Sequence, residues 1–319
     1  YEIAQCLVGS EMCIRDRTLT RLRMEMRDIM SKIAILTDSS CDIPQEMAEK
    51  YGIDIMSFHI LLDDVDYVER ESCTNTEFYD KMRLAKGVPS TAAITPIQFC
   101  EKYCQYVDEG YTDVIHVPIN KSGSSTYNNA LMAQGMLREE RPEHHMKIHL
   151  LDPHTYSMVF GWYLCEMARK LKNGAEISHV IQEFEKQMNC MEIILGPYSL
   201  KQMKKSGRIS AAAAVMGELM GVRPIITLID GKTKVESKVR GDDKVIPAMI
   251  DLCKKRTEGV EDFDYMIGHT SIPQAAELEK ACRKAFGKAP LSTFNLGGVV
   301  SANTGPDTLA LVYVGKPRD

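Results

Sequence analysis

KIAILTDSSCDIP, at residues 32–44, is the stretch of sequence that decides the fold. Its first half is a short run of apolar and β-branched residues, which is typical of a buried strand. Its second half is a polar loop, after which Pro44 begins a helix that Gly52 ends. The order of strand, polar loop and helix returns at residues 113–140 and 147–172. Such a repeat predicts a parallel sheet with helices packed on it.

The segment between these repeats predicts a strand over residues 53–62 and helices over residues 74–85 and 95–110. After residue 189 the regular order of strand, loop and helix ends. Asp230-Gly231 then lies between two β-branched runs, which is a strong hairpin signal. We therefore predict two α/β domains. The N-terminal domain, residues 32–189, has a mainly parallel sheet with flanking helices, and the C-terminal domain, residues 190–319, has a mixed or antiparallel sheet with helices.

The composition argues against several protein classes. The chain has 319 residues, of which 44% are hydrophobic, and this is too apolar for a disordered protein. The sequence contains no run of about 18 uncharged apolar residues, so it predicts no membrane-spanning helix. A net charge of −5 argues against a general nucleic-acid binder. The ten cysteines form no C-x-x-C pair, which favours free thiols in a reducing cytoplasm over a metal site.

The start of the chain differs from the rest. Residue 1 is Tyr, and residues 1–17 end in SEMCIRDR, which is typical of translated sequencing-adapter sequence. They contain no clean signal peptide. We expect residues 1–31 to be a non-native or disordered leader.

Motifs for several self-contained enzymes are missing from the sequence. It has no G-x-x-x-x-G-K-[ST] loop, no G-x-G-x-x-G fingerprint, no G-x-S-x-G elbow and no H-E-x-x-H helix. A nucleotide site, a serine-hydrolase elbow and a zincin site are therefore not expected.

Hydroxyl-rich loops are the strongest signals for a binding site. Ser122-Gly-Ser-Ser-Thr126 precedes a helix, and the free N–H groups of a helix N-terminus suit a carboxylate or a phosphate. The same residues would also serve as an N-cap with spare serines, and both interpretations stay open. In the loop at residues 89–95, Thr95 supplies the cap of the next helix, so Thr91 is free to face a ligand.

Two further residues are candidates for contact with an anion. Arg208 follows Gly207 just before a predicted helix, and its guanidinium is a forked, permanently charged donor. The same pattern also fits a surface arginine at a turn that contacts no ligand. His269 ends an apolar strand, where a histidine is more often structural than functional.

Six short motifs follow one another along the chain: TDSSCDIP at residues 37–44, TAAITP at 91–96, KSGSSTYNNA at 121–130, SLKQMKKSGRIS at 199–210, RPI at 223–225 and NTGPD at 303–307. In this order they resemble the motifs of the DegV family of bacterial fatty-acid-binding proteins, and the resemblance extends from about residue 32 to the C-terminus. Ala92-Ala93-Ile94 replaces the family's Ser-Gln-Pro, Ser125 and Ser206 replace two glycines, and Asn303 replaces a late histidine.

The resemblance implies a ligand cleft between the two domains, in which one long-chain fatty acid lies in a tunnel. It implies that the acyl carboxylate binds to a Thr, a Ser and a His, and that an arginine contacts the head group, a phosphate or a kinase. By position the carboxylate ligands are Thr91, Ser124 and His269, the arginine is Arg208, and the supporting anion loop contains Ser125, Thr126 and Gly207.

The resemblance also implies a role for the whole chain. It is similar to the non-catalytic, lipid-presenting subunit of a fatty acid kinase, in which a separate ATP-dependent subunit converts the presented carboxylate to an acyl phosphate. This interpretation predicts a cytoplasmic protein in phospholipid metabolism, with no cofactor or metal besides the bound fatty acid. It predicts no nucleic-acid partner and no integral membrane segment, and it leaves open a transient contact with a membrane surface.

Two alternatives come from other functional classes. The first is an acyl or phosphate ester hydrolase that uses Ser124 as nucleophile and His269 as base. The second is a lipid-gated regulatory binding module. No nucleophile elbow supports the first, and covalent labelling of Ser124 by a fluorophosphonate would favour it. A stable protein partner that binds only when lipid is bound would favour the second.

Overall fold

The computed structural model describes residues 32–206 and 221–318. Its strands are β1 (Ile33–Asp38), β2 (Ile53–Met56), β3 (His59–Leu62), β4 (Val65–Val68), β5 (Ser90–Ala92), β6 (Asp113–Val117), β7 (Lys147–Leu150), β8 (Met191–Pro197), β9 (Val222–Ile229), β10 (Lys232–Arg240), β11 (Tyr265–His269), β12 (Thr293–Asn295) and β13 (Thr308–Val314). Its α-helices are α1 (Gln45–Tyr51), α2 (Asn75–Leu84), α3 (Pro96–Asp108), α4 (Thr126–Glu140), α5 (Met158–Lys172), α6 (Ile177–Met188), α7 (Lys201–Ser206), α8 (Val245–Arg256), α9 (Gln274–Phe286) and α10 (Gly298–Thr304).

The N-terminal domain contains the predicted parallel sheet, with the strand order β2-β1-β6-β7. Successive residues of β1 point to opposite faces of the sheet, so Ile35 enters one apolar core and Leu36 enters another. Helix α5 packs on the Ile35 side, and α3 and α4 pack on the Leu36 side. Because both faces are covered, the strand reads as a continuous apolar run in the sequence.

The prediction of one strand over residues 53–62 is wrong, because the structure divides this segment between two sheets. β2 pairs with β1, whereas β3 pairs with β4 and β5 in a separate three-stranded antiparallel sheet. At the break, the N–H of Phe58 donates to Ser39 Oγ at 3.0 Å instead of to a neighbouring strand. A side chain 19 residues away therefore ends the parallel pairing.

Thr91 lies on a strand, although the sequence predicts a loop over residues 89–95. β5 pairs antiparallel with β3, and Thr91 is opposite Ile60. Thr95 is the N-cap of α3, as predicted: its hydroxyl accepts the N–H of Gln98, and the Gln98 side chain completes a capping box.

The C-terminal domain has a mixed sheet with the order β10-β9-β8-β13-β11-β12, in which the β11–β12 pair is parallel and the other pairs are antiparallel. The Asp230-Gly231 turn joins β9 to β10 in the predicted hairpin. The predicted domain boundary at residue 189 falls between α6 and β8.

Helix α10 connects the two domains and is absent from the sequence prediction. It lies between β12 and β13 in the chain, yet Val299 and Ala302 are buried in the apolar core that α3 and α4 share with β1. Its neighbour Val300 belongs to the other large core. Thus a short C-terminal helix packs into the N-terminal domain.

No helix among the described residues is both long enough and apolar enough to span a membrane.

Candidate ligand-binding cavity

A cavity of about 450 Å³ lies between the two domains. This volume is within the usual range of about 300–1,000 Å³ for small-molecule sites. Its apolar and aromatic lining consists of Phe58, Ile119, Tyr156, Met203, Leu228, Val299 and Val300. Its polar lining consists of Thr91, Asn120, Ser122, Ser124, Lys232, Thr233, Asn303 and Thr304, with Gly123 and Gly231 beside them.

Ser124 lines the cavity from the loop before α4. Its Oγ accepts the N–H of Thr126 at 3.2 Å and lies 2.8 Å from Thr126 Oγ1. The Ser125 side chain makes no cap hydrogen bond, so Ser124 closes the start of the helix. One hydroxyl therefore combines the two roles that the sequence left open, because it caps the helix and faces the cavity.

Thr91 reaches the same cavity from β5. The structure therefore brings together two of the three predicted carboxylate ligands. Of the predicted supporting residues, Ser125 is exposed and Thr126 is fully buried, and both flank Ser124. Gly207 and Arg208 lie outside the described residues.

His269 lies elsewhere in the described structure. It ends β11, and the described residues that line the cavity do not include it. Its Nδ1 accepts the N–H of Ser271 at 3.0 Å, and it is opposite Asn295 of β12. Burial lowers the pKa of His269, which favours the neutral ring that this hydrogen bond requires.

The proposed hydrolase pair does not meet in this geometry. The hydrogen bonds of the Ser124 hydroxyl are made with Thr126, and that of His269 Nδ1 is made with Ser271. A serine nucleophile needs its base within about 3 Å. The described structure therefore does not favour the hydrolase interpretation.

The β9–β10 hairpin closes one side of the cavity. Ser122 Oγ lies 3.4 Å from the carbonyl oxygen of Asp230 and 3.0 Å from Asn120 Oδ1. Gly231 has φ +68°, and a Cβ at this position would overlap Ser122 Oγ and lie 2.5 Å from Asn120 Oδ1. Only glycine combines the left-handed backbone with this close approach. The hairpin turn thus brings Lys232 and Thr233 to the cavity.

Asn303 and Lys232 line the cavity, although the sequence predicts neither as a ligand contact. Asn303 is half-buried on α10, and its amide donates to the carbonyl of Val299 at 2.9 Å. A signal for Asn303 was present, since it occupies the position where the related motif has histidine. Lys232 has no comparable signal, because only the docking of the hairpin brings it to the cavity. It is the one charged residue among the described residues of the lining.

Metal ligands are not grouped in the described residues: no set of three or more His, Cys, Asp or Glu side chains there could hold a metal ion. The eight cysteines of the described ranges are free thiols. The cavity lining, with apolar walls beside hydroxyl and amide groups, suits a ligand with an apolar body and a polar end.

Comparison with known proteins places the chain in a family. The model of the DegV family matches residues 32–316. The chain belongs to the DegV family. A DegV domain-containing protein from Staphylococcus aureus is 30% identical over 294 residues, which cover 89% of this chain and 98% of that protein. Another from Clostridium perfringens is 28% identical over 289 residues, which cover 89% of this chain and 99% of that protein.

Two solved structures share the fold. A fatty acid binding DegV family protein from Streptococcus agalactiae is 25% identical, with a TM-score of 0.78 over 90% of this chain and 99% of that chain. A structure from Eubacterium ventriosum, described as a fat acid (stearic acid)-binding protein, is 22% identical, with a TM-score of 0.81 over 89% of this chain and 99% of that chain. The two α/β domains are thus the fold of the DegV family.

Proposed function

We propose that this DegV-family chain binds a long-chain fatty acid in the cavity between its domains. It presents the carboxylate to a separate ATP-dependent kinase, which forms an acyl phosphate, and it catalyses no reaction itself. The observation that carries the proposal is the cavity, in which apolar walls meet a cluster of hydroxyl and amide groups where the two domains join. Relatives of the same fold that are described as fatty acid binding support it.

Burial of the acyl chain supplies the main driving force. Each buried CH₂ group contributes about 0.8 kcal/mol, so a chain of roughly 16 carbons gains on the order of 12 kcal/mol before costs. Loss of translational and conformational freedom removes several of these kcal/mol. What remains is enough for stable binding, and the polar groups then decide which end of the ligand lies where.

We propose Thr91 and Ser124 as carboxylate ligands, because they face one cavity from separate elements. Asn303 is the proposed third ligand, since it lines the same cavity at the position where the related motif has histidine. A buried carboxylate needs several donors, and hydroxyl and amide N–H groups are suitable donors. His269 stays a prediction of the resemblance.

Substitutions distinguish these two candidates for the third ligand. We expect Asn303→Ala to raise the Kd for palmitate about tenfold, which is about 1.4 kcal/mol, and His269→Ala to leave the Kd unchanged. The reverse result would restore His269 to the site and remove Asn303. Ser124→Ala, with an expected loss of about tenfold, is the positive control for both.

Mass spectrometry tests whether the chain binds lipid at all. The protein is purified from a bacterial host, and native and denatured masses are compared before lipids are extracted. We expect one fatty acid for each chain. A protein that arrives empty and takes up no added palmitate would refute the proposal.

Presentation to a kinase requires its own experiment. The palmitate-loaded chain is incubated with ATP and a purified fatty acid kinase subunit from a bacterium that has a DegV-family relative. We expect acyl phosphate only when both proteins are present, and a loss of this product, with palmitate still bound, in Arg208→Ala. Binding of palmitate without acyl phosphate in any pairing would limit the function to lipid binding.

The cytoplasm is the proposed location. Free thiols such as Cys41, Cys100 and Cys165 fit a reducing compartment.

A further inference from the structure

Three apolar residues of the cavity lining, Phe58, Ile119 and Val299, come from three separate segments of the chain. All three are at least nine-tenths buried, with exposed fractions of 2%, 8% and 3%. Phe58 follows β2, Ile119 follows β6, and Val299 belongs to α10. In each case the backbone N–H must find an acceptor away from water, because an unpaired buried N–H is costly.

The acceptors of these N–H groups lie in one buried polar cluster behind the cavity wall. The N–H of Ile119 donates to Asp38 Oδ2 at 2.7 Å. The N–H of Val299 donates to Glu69 Oε1 at 2.8 Å. The N–H of Phe58 donates to Ser39 Oγ at 3.0 Å, and the Ser39 hydroxyl in turn donates to Glu69 Oε2.

Glu69 is the centre of this arrangement. Its own N–H donates to the carbonyl of Phe58 at 2.9 Å, so side chain and backbone together hold Phe58 and Val299. Gly297 permits the close approach, because a Cβ there would overlap Asp42 Oδ1 and lie 2.8 Å from Glu69 Oε1. Phe58 belongs to the N-terminal part of the chain and Val299 to the C-terminal part, so the carboxylate joins the two domains at the cavity.

We propose that Asp38 and Glu69 are positioning residues for the ligand, which hold the three apolar walls of the cavity through their backbone N–H groups. The inference rests on the proposed lipid-binding function. It gives a role to the TDSSCD segment at residues 37–42, which is not among the described residues that line the cavity. Side-chain acceptors satisfy these N–H groups without another strand, so the walls stay apart and leave room for an acyl chain.

Two substitutions at one position separate hydrogen bonding from charge. Glu69→Leu removes the acceptors for Val299 and Ser39, and we expect the Kd for palmitate to rise at least tenfold. Glu69→Gln keeps Oε1 as acceptor for the N–H of Val299. Its amide N–H donates to Ser39 Oγ, and this bond replaces the one that Ser39 donates to Glu69 Oε2. We expect the Kd of Glu69→Gln to stay within threefold of that of the unsubstituted chain.

Glu192→Leu is the matched control. Glu192 is also a buried glutamate, with an exposed fraction of 8%, but it accepts from the hydroxyl of Tyr313 at 2.6 Å, which is not a lining residue. We expect this variant to lower the unfolding temperature without changing the Kd for palmitate. A second readout is the ratio of the Kd values for laurate and palmitate, which we expect only Glu69→Leu to reduce, because displaced walls lose contact with the longer chain.

The outcomes separate the two proposals. If the unsubstituted chain binds palmitate and Glu69→Leu binds it equally well with the same ratio, the positioning role is overturned and the lipid-binding function stands. If the unsubstituted chain binds no fatty acid, both fail together. If Glu69→Leu does not fold, Ser39→Ala decides. It removes the acceptor of the Phe58 N–H and the hydroxyl that donates to Glu69 Oε2, and an unchanged Kd in this variant would overturn the proposal.

Discussion

Gly231→Ala tests whether the docking of the β9–β10 hairpin shapes the cavity. Gly231 has φ +68°, and an L-residue in this region costs about 1–2 kcal/mol. The new methyl group would also overlap Ser122 Oγ, and relief of such an overlap costs about 1–3 kcal/mol. We therefore expect the free energy of unfolding to fall by about 2–5 kcal/mol. Because Lys232 and Thr233 move with the turn, we also expect weaker palmitate binding, by about tenfold.

Gly259→Ala provides the control for backbone strain. Gly259 has a similar φ of +81°, but a Cβ there has nothing within 4 Å. Urea unfolding of the two variants then isolates the overlap, with an expected difference of about 1–3 kcal/mol. If both variants lose the same stability to within about 0.5 kcal/mol and bind palmitate like the unsubstituted chain, the contact with Ser122 does not shape the cavity.

Three further predictions follow from the site and the core. Thr91→Val should raise the Kd for palmitate about tenfold in a titration, since it removes a donor and keeps the shape; an unchanged Kd would exclude Thr91 from the carboxylate site. Asn303→His should make palmitate affinity rise as the pH falls through about 6.5, because imidazolium becomes a charged donor; a flat pH profile would place residue 303 away from the carboxylate. Burial lowers the pKa of His116 to about 3, below its unfolded value, so its contribution to stability is present above pH 6.5 and is lost as the pH falls toward 3. From pH 6.5 to pH 5 the free energy of unfolding of the unsubstituted chain should therefore fall by about 1.6 kcal/mol relative to that of His116→Phe, and parallel curves would show that His116 titrates in the fold as it does in the unfolded chain.

The local pattern of apolar, polar and turn residues was enough to predict the two α/β domains. An apolar run such as residues 33–37 forms a buried strand, and Thr95-Pro96 begins a helix, because these signals depend on neighbouring residues alone. The Asp230-Gly231 hairpin was predictable for the same reason. Thr91 and Ser124 both belong to hydroxyl-rich segments of the sequence, and both line the same cavity.

Long-range contacts decided what the sequence pattern could not. Residues 53–62 read as one apolar segment, and only the capture of the Phe58 N–H by Ser39, 19 residues earlier, divides it between two sheets. Helix α10 is too short to show a periodic pattern, and its place in the N-terminal core depends on Val299. Neither feature has a local cause, so neither has a local signal.

In the cavity, too, some features follow from the sequence and others only from the packing. From the sequence alone came the fold class and the residue types that suit an acyl carboxylate. The tertiary structure brought Asn303 to the cavity and placed His269 on β11, away from the described lining. It also brought in Lys232, through a hairpin that closes against Ser122 of the other domain. A strand or a helix follows from interactions between near neighbours, whereas a cavity between domains depends on residues far apart in the chain, and only their packing decides which of them meet.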